Sequence, residues 1–252
     1  MSNSKIAVVT GGSRGIGRET VLSLAKRGVR TIFTYRVNRA EADAVIGLAA
    51  AAGAEAVALQ LDVGDAAAFA SFADQVSAVL KGLGAERFDY LVNNAGTSSA
   101  AGLSTITPVE MDALYNVHFK GVLFLTQALL PLINDGGRIV NISSGLARFA
   151  MPGRIGYGSI KAGVEALTRY MAVELGPRRI TVNVVAPGAI ATDFSGGMVR
   201  DNPMINKAVA DITALGRVGL PEDVGPVIAS VLSDDLGWVN AQRIEVSGGV
   251  HI

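Results

Sequence analysis

The sequence predicts an α/β fold: a doubly wound, seven-stranded parallel sheet with helices on both faces, in one domain over residues 1–252. Three observations predict it. Short runs that are apolar throughout alternate with longer stretches of helical period, the pattern of a parallel sheet covered on both sides. A glycine-rich turn, Thr10-Gly11-Gly12-Ser13-Arg14-Gly15-Ile16-Gly17, joins the first such run to the first helical stretch. Of the 252 residues 50% are hydrophobic and 17% charged, enough for a large core.

Taken in order, Ile6–Thr10 reads as the first strand and residues 15–28 as a helix ended by Gly28. Thr31–Tyr35 is the second strand, followed by an alanine-rich helix to about Gly53. Ala56–Leu61, Phe88–Asn93, Arg138–Ser143, Ile180–Val185 and Arg243–Val246 supply strands three to seven. Helices are expected over 66–81, 107–133 and 222–233, the last starting just after Pro221. A further helix holds Tyr157 and runs to about Gly176. Its apolar positions Ile160, Val164, Leu167, Met171 and Leu175 are spaced 4, 3, 4 and 4 apart, which is helical.

Composition excludes several function classes. There is no cysteine, so disulfides, thiolate metal sites and cysteine nucleophiles are absent. The two histidines, His118 and His251, do not make a histidine-rich metal site. Zero net charge gives no footprint for nucleic acid or an anionic membrane. The start Met1-Ser2-Asn3-Ser4-Lys5 lacks the basic head and long apolar core of a secretory signal. Residues 121–134 are uncharged but hold Thr126, Gln127 and Pro131, and fall short of the ~20 apolar residues of a membrane span. A cytoplasmic protein is expected.

The chemistry-bearing stretches are two. In the glycine turn, the glycines permit close backbone approach, and the helix that follows offers unpaired amides and a partial positive charge to a pyrophosphate. The second is Tyr157-Gly158-Ser159-Ile160-Lys161. Residues four apart on a helix lie on one face, one turn apart. A tyrosine of pKa about 10 needs help to move protons near neutral pH, and a fixed ammonium favours its phenolate. Ser144 lies 13 residues before Tyr157, at the C-terminal end of the fifth strand, with its hydroxyl free for a substrate oxygen.

Together, Thr-Gly-x-x-x-Gly-x-Gly at 10–17, Asn93-Asn94-Ala95-Gly96 after the fourth strand, Ser144 and Tyr157-x-x-x-Lys161 resemble the short-chain dehydrogenase/reductase family, a Rossmann-type fold. Pro187-Gly188-Ala189-Ile190-Ala191-Thr192 looks like that family's loop beside the nicotinamide. Gly216-Arg217-Val218-Gly219, Pro221-Glu222-Asp223 and Ser247-Gly248-Gly249 match its C-terminal signature. The resemblance runs through essentially the whole chain.

It implies that Gly11, Gly12, Ser13, Arg14, Gly15, Ile16 and Gly17 hold the pyrophosphate side of a dinucleotide. Asp62 and Val63 would border the adenine, and Asn94, Ala95 and Gly96 the adenosine ribose. Pro187, Gly188, Ile190 and Thr192 would flank the nicotinamide. Ser144 would orient a carbonyl oxygen, Tyr157 exchange a proton with it, and Lys161 favour the tyrosinate and hold the nicotinamide ribose. Where NAD enzymes of this type place an acid after the second strand, this chain has Tyr35 and Arg36. A guanidinium suits the 2′-phosphate of NADP by charge and bidentate fork. With Arg14 as a second clamp, NADP(H) is expected over NAD(H).

One departure stands out. The family's Asn-x-x-Gly puts an asparagine three residues before the glycine that here is Gly121, and that position is His118. Asn116 sits about 200° round the helix from it. His118 therefore replaces the asparagine as the fourth catalytic residue.

The expected activity is NADP(H)-dependent interconversion of a small-molecule carbonyl and an alcohol, by a homotetramer or homodimer. Two alternatives are a 3-oxoacyl-thioester reductase, with Arg138, Arg148 and Arg154 as scattered carrier-docking candidates, and a catalytically silent dinucleotide sensor. The substrate would be shaped by residues 97–104, 145–155 and 193–210, in which no chemical pattern is legible.

Overall fold

The computed structural model describes residues 4–252, so the reading of Met1, Ser2 and Asn3 lies outside the described residues. The seven strands are β1 (Ile6–Val9), β2 (Arg30–Tyr35), β3 (Ala56–Gln60), β4 (Phe88–Asn93), β5 (Ile133–Ile142), β6 (Thr181–Pro187) and β7 (Arg243–Val246). They form one sheet in the order β3-β2-β1-β4-β5-β6-β7, and every pairing is parallel. The register is set by pairs such as Val8 with Ile32 and Leu91.

Side chains alternate across a strand. Ile6 and Val8 enter one apolar core, with Phe72, Leu91, Leu125 and Met171. Ala7 and Val9 enter the other, with Val21, Phe33, Val45 and Ile228. Both faces are thus covered, which is why the strands carry no polar-apolar alternation. The chain winds outward from β1 through β2 to β3, then returns to build the other half from β4. Ligand crevices of such sheets open at this reversal, at the C-terminal ends of β1 and β4.

The helices that matter for the site are α1 (Gly15–Ala25), α2 (Arg39–Ala51), α3 (Phe69–Gly82), α4 (Pro108–Tyr115), α5 (Gly121–Leu129) and α6 (Ile155–Leu175). The helix expected over 107–133 is broken. A π-helical turn, Asn116–Lys120, separates α4 from α5, with the Gly121 amide bonded to the Asn116 carbonyl. Thr107 and Glu110 start α4 with a reciprocal capping box, Pro108 taking the first position. The fifth strand begins at Ile133, earlier than the expected Arg138. Beyond β6, α7 (Met198–Asp201) and α8 (Pro203–Asp211) occupy a stretch expected to lack pattern, and α9 (Pro221–Val231) follows. Among the described residues no helix is long and apolar enough to cross a membrane.

Candidate active site

The glycine turn leaves β1 and is held by threonines and an asparagine. The Gly11 amide donates to Thr34 Oγ1 at 2.9 Å, and the Gly12 amide to the Thr34 carbonyl at 2.8 Å. Asn94 Nδ2 donates to the carbonyls of Thr10 (2.8 Å) and Gly11 (3.2 Å), while Thr10 Oγ1 accepts from the amides of Asn94 and Ala95. A Cβ on Gly12 would lie 2.6 Å from Phe33, and one on Gly17 would lie 2.1 Å from the Gly11 carbonyl oxygen. Only glycine permits that closeness, which brings α1 up to the turn and leaves Ser13 and Arg14 at its open edge. Gly15 faces the Thr192 methyl, so the loop after β6 closes over the turn. A turn of this form, at the start of a helix, could hold the pyrophosphate of a dinucleotide.

The other expected cofactor contacts gather around it. Tyr35 is buried at the end of β2, and the Arg39 guanidinium lies 5.7 Å from its ring centroid. Arg36 is exposed beside it. Asp62, exposed past β3, accepts the Gly64 amide at 2.8 Å, and Val63 is buried. Pro187 closes β6, the Gly188 amide donates to the Val246 carbonyl, and Ile190 bridges to Gly219.

Ser144 stands two residues beyond β5, as expected, and its Oγ accepts the Leu146 amide at 3.2 Å. Tyr157 lies in the first turn of α6, and Lys161 one turn further on; both are buried. Burial pushes the Tyr157 phenol up to about 12, against the opposing pull of its hydrogen bond with Ser144 and of the Arg154 charge. Burial lowers Lys161 to about 7. Its Nζ donates to the Ile142 carbonyl at 2.6 Å, and lies 5.7 Å from the Tyr157 ring centroid. Desolvation wins over charge for both groups.

His118 is on the inner side of the π-helical turn and 1% exposed. Its ring meets Tyr157 edge-on, with centroids 5.3 Å apart. His118 Nε2 donates to the Thr97 carbonyl at 2.7 Å, while Nδ1 is buried without a partner. Burial and the nearby Lys161 hold the imidazole well below its ordinary pKa, so it is neutral at pH 7. Gly96 makes room for it: a Cβ there would lie 2.8 Å from the ring. Asn116, by contrast, is spent on the turn itself through its carbonyl.

A cleft of about 400 Å³ opens between Gly96–Ser98 and the segment Asp193–Gly196, and Arg14 and Arg154 also line it. Ser98 Oγ and Ser195 Oγ share a hydrogen bond of 2.8 Å across it, and Phe194 lies 6.0 Å from Tyr157, ring to ring. Arg39, Phe194 and this serine pair were missed in the sequence. Arg39 has a signal, one helical turn beyond Tyr35; the others meet only through the fold.

A family model described as enoyl-(acyl carrier protein) reductase matches residues 11–251. The chain belongs to the short-chain dehydrogenase/reductase family. An uncharacterized oxidoreductase of Methylorubrum extorquens is 37% identical over 98% of both chains. Versicolorin reductase 1 of Aspergillus parasiticus is 34% identical over 98% of this chain and 96% of its own. Among solved structures, the angucycline C-6 ketoreductase LanV with bound NADP superposes with a TM-score of 0.92 at 33% identity, covering 97% of this chain and 95% of that one. The chain is therefore similar throughout to reductases of this family, and its sheet has the family's order.

Proposed function

We propose that this protein is an NADP(H)-dependent ketoreductase, acting on a small-molecule ketone or aldehyde and its alcohol. The observation that carries the reading is Tyr157, buried in the first turn of α6, with Lys161 one turn away and the cleft-lining Phe194 6.0 Å from its ring. At neutral pH its phenol keeps its proton, the form that reduction consumes. The glycine cradle fits a dinucleotide, and Gly11–Gly17, Asn94–Gly96, Ile190 and Thr192 would hold it. When bound, its nicotinamide supplies the hydride. Ser144 donates a hydrogen bond to the carbonyl oxygen, and Tyr157 Oη gives that oxygen its proton. Lys161, reaching from the Ile142 carbonyl, holds the ribose side and favours the resulting tyrosinate. His118 fixes the Thr97 wall of the cleft and acts through position rather than titration.

NADP over NAD is supported by Tyr35 at the end of β2, where a ribose-binding acid would stand, and by the exposed guanidiniums of Arg14 and Arg36. The NADP bound by LanV points the same way. Assembly as a homotetramer or homodimer accords with the exposed Tyr170 and Val173 on α6. A 3-oxoacyl-thioester reductase is less well supported. Arg138 is paired with Asp234 and Arg148 with Glu245, so neither stands free for an acidic carrier. The test is oxidation of NADPH and of NADH across a panel of ketones and aldehydes. Consumption of NADPH with formation of the alcohol is expected; binding of NADPH without turnover of any member would leave only the silent sensor.

A further inference from the structure

Two arginines, Arg14 and Arg154, line the cleft whose Phe194 lies against Tyr157. Arg14 lies 4.0 Å from Asp193, which also pairs with Arg200. Among the described residues, Arg154 has no carboxylate within ion-pair distance. Its one hydrogen bond runs from Nη1 to the Ser99 carbonyl at 2.9 Å. A guanidinium carries five N–H donors, so most of its fork remains available. The guanidinium is half-buried, so the free part of its fork faces the cleft with water as its partner.

Its place is informative. Arg154 caps α6, three residues before Tyr157, while Lys161 follows four residues after it. Tyr157 and Lys161 share one face of α6, and Arg154, at the N-cap with non-helical backbone, stands at the N-terminal end of that row. Lys161 is the inner member, bonded to the β5 carbonyl. Arg154 is the outer one, and its bond to Ser99 fixes it against the wall formed by residues 97–100. Its charge is felt at Tyr157, whose phenol it draws downward. A substrate whose carbonyl met Ser144 and Tyr157 and whose body lay in the cleft between residues 96–100 and 193–198 would pass Arg154.

Resting on the ketoreductase reading, we propose that Arg154 is a substrate-binding residue that selects ketones bearing an ionised oxygen acid, a carboxylate or a phenolate. Such a group accepts two N–H bonds from the guanidinium and supplies the countercharge that the protein omits. Neutral ketones still reach Tyr157 but leave the fork to water.

The experiment compares matched pairs with NADPH as reductant. One pair is 4-acetylbenzoate and its methyl ester; the other is 4-hydroxyacetophenone and its methyl ether, at about pH 9. In wild type the anionic member of at least one pair is expected to lead in kcat/KM by about tenfold or more, mainly through KM. The pair that shows it tells carboxylate from phenolate. Arg154→Gln should bring the ratio close to one, and Arg154→Lys should restore part of it. NADPH binding by each variant reports folding; should Arg154→Gln not fold, the wild-type ratios and Arg154→Lys decide. A wild-type ratio near one in both pairs, or a ratio that survives Arg154→Gln, overturns the proposal. Turnover of the neutral members in that case leaves the ketoreductase reading standing without it.

Discussion

Replacing Lys161 by methionine tests how strongly burial acts on the ammonium at the heart of the site. Lysine ordinarily titrates near 10.5, and in the folded protein this one falls to about 7. Between those values the unfolded chain binds a proton that the native protein does not, so stability rises with pH across that window. At pH 7 the penalty is about 4 kcal/mol, and by pH 9 it shrinks to about 2 kcal/mol. Tyr157 moves oppositely, from 10.0 to about 12, so its contribution is lost only as pH rises beyond 10. Lys161→Met also leaves the Ile142 carbonyl without its donor, at a cost of about 1–3 kcal/mol that does not depend on pH. The slope therefore separates the two effects. Urea unfolding of the cofactor-free protein at pH 7, 8 and 9 should show wild type gaining about 2 kcal/mol relative to Lys161→Met. Parallel lines for the two proteins would refute the argument.

Two further outcomes concern the cofactor and the departure at His118. Tyr35→Asp with Arg36→Ala exchanges a phosphate clamp for a ribose acceptor, and should move the NADPH-to-NADH ratio of kcat/KM toward NADH by at least about tenfold; a wild type that already prefers NADH would sink it. Because the His118 imidazole is held neutral, His118→Asn should leave the acidic limb of the pH–rate profile in place and cost activity only through the lost hold on Thr97. A change confined to that limb would place the imidazole in the proton relay, and a large loss in Asn116→Ala with His118→Asn silent would reverse the register.

The sheet was legible because its central strands are buried on both faces and therefore mainly apolar, as in Ile6–Val9. Helix α6 was legible from its spacing, and the glycine turn from its place between strand and helix. What failed depends on bonds that local pattern does not record. The π-helical turn is made by i→i+5 bonds such as Gly121 to Asn116, in a segment whose composition reads as ordinary helix. The anchoring of Lys161 on Ile142 and the countercharge-free Arg154 arise from contacts between distant segments. Helix α8 did carry a signal. Asn202 followed by Pro203 is a cap and a first-turn proline, and Asn202 Oδ1 accepts the amides of Met204 and Ile205.

The central claim is that Tyr157 delivers the proton while the reductant delivers hydride, and Tyr157→Phe removes only the hydroxyl concerned. With C4-deuterated NADPH and the best ketone of the panel, wild type should place the label on the carbinol carbon. The variant should do so at least about 100-fold more slowly, a loss typical for a general acid. NADPH affinity should stay within about twofold, since the hydroxyl acts at the substrate. A variant that keeps more than half of wild-type turnover, with the label still transferred, would contradict the account.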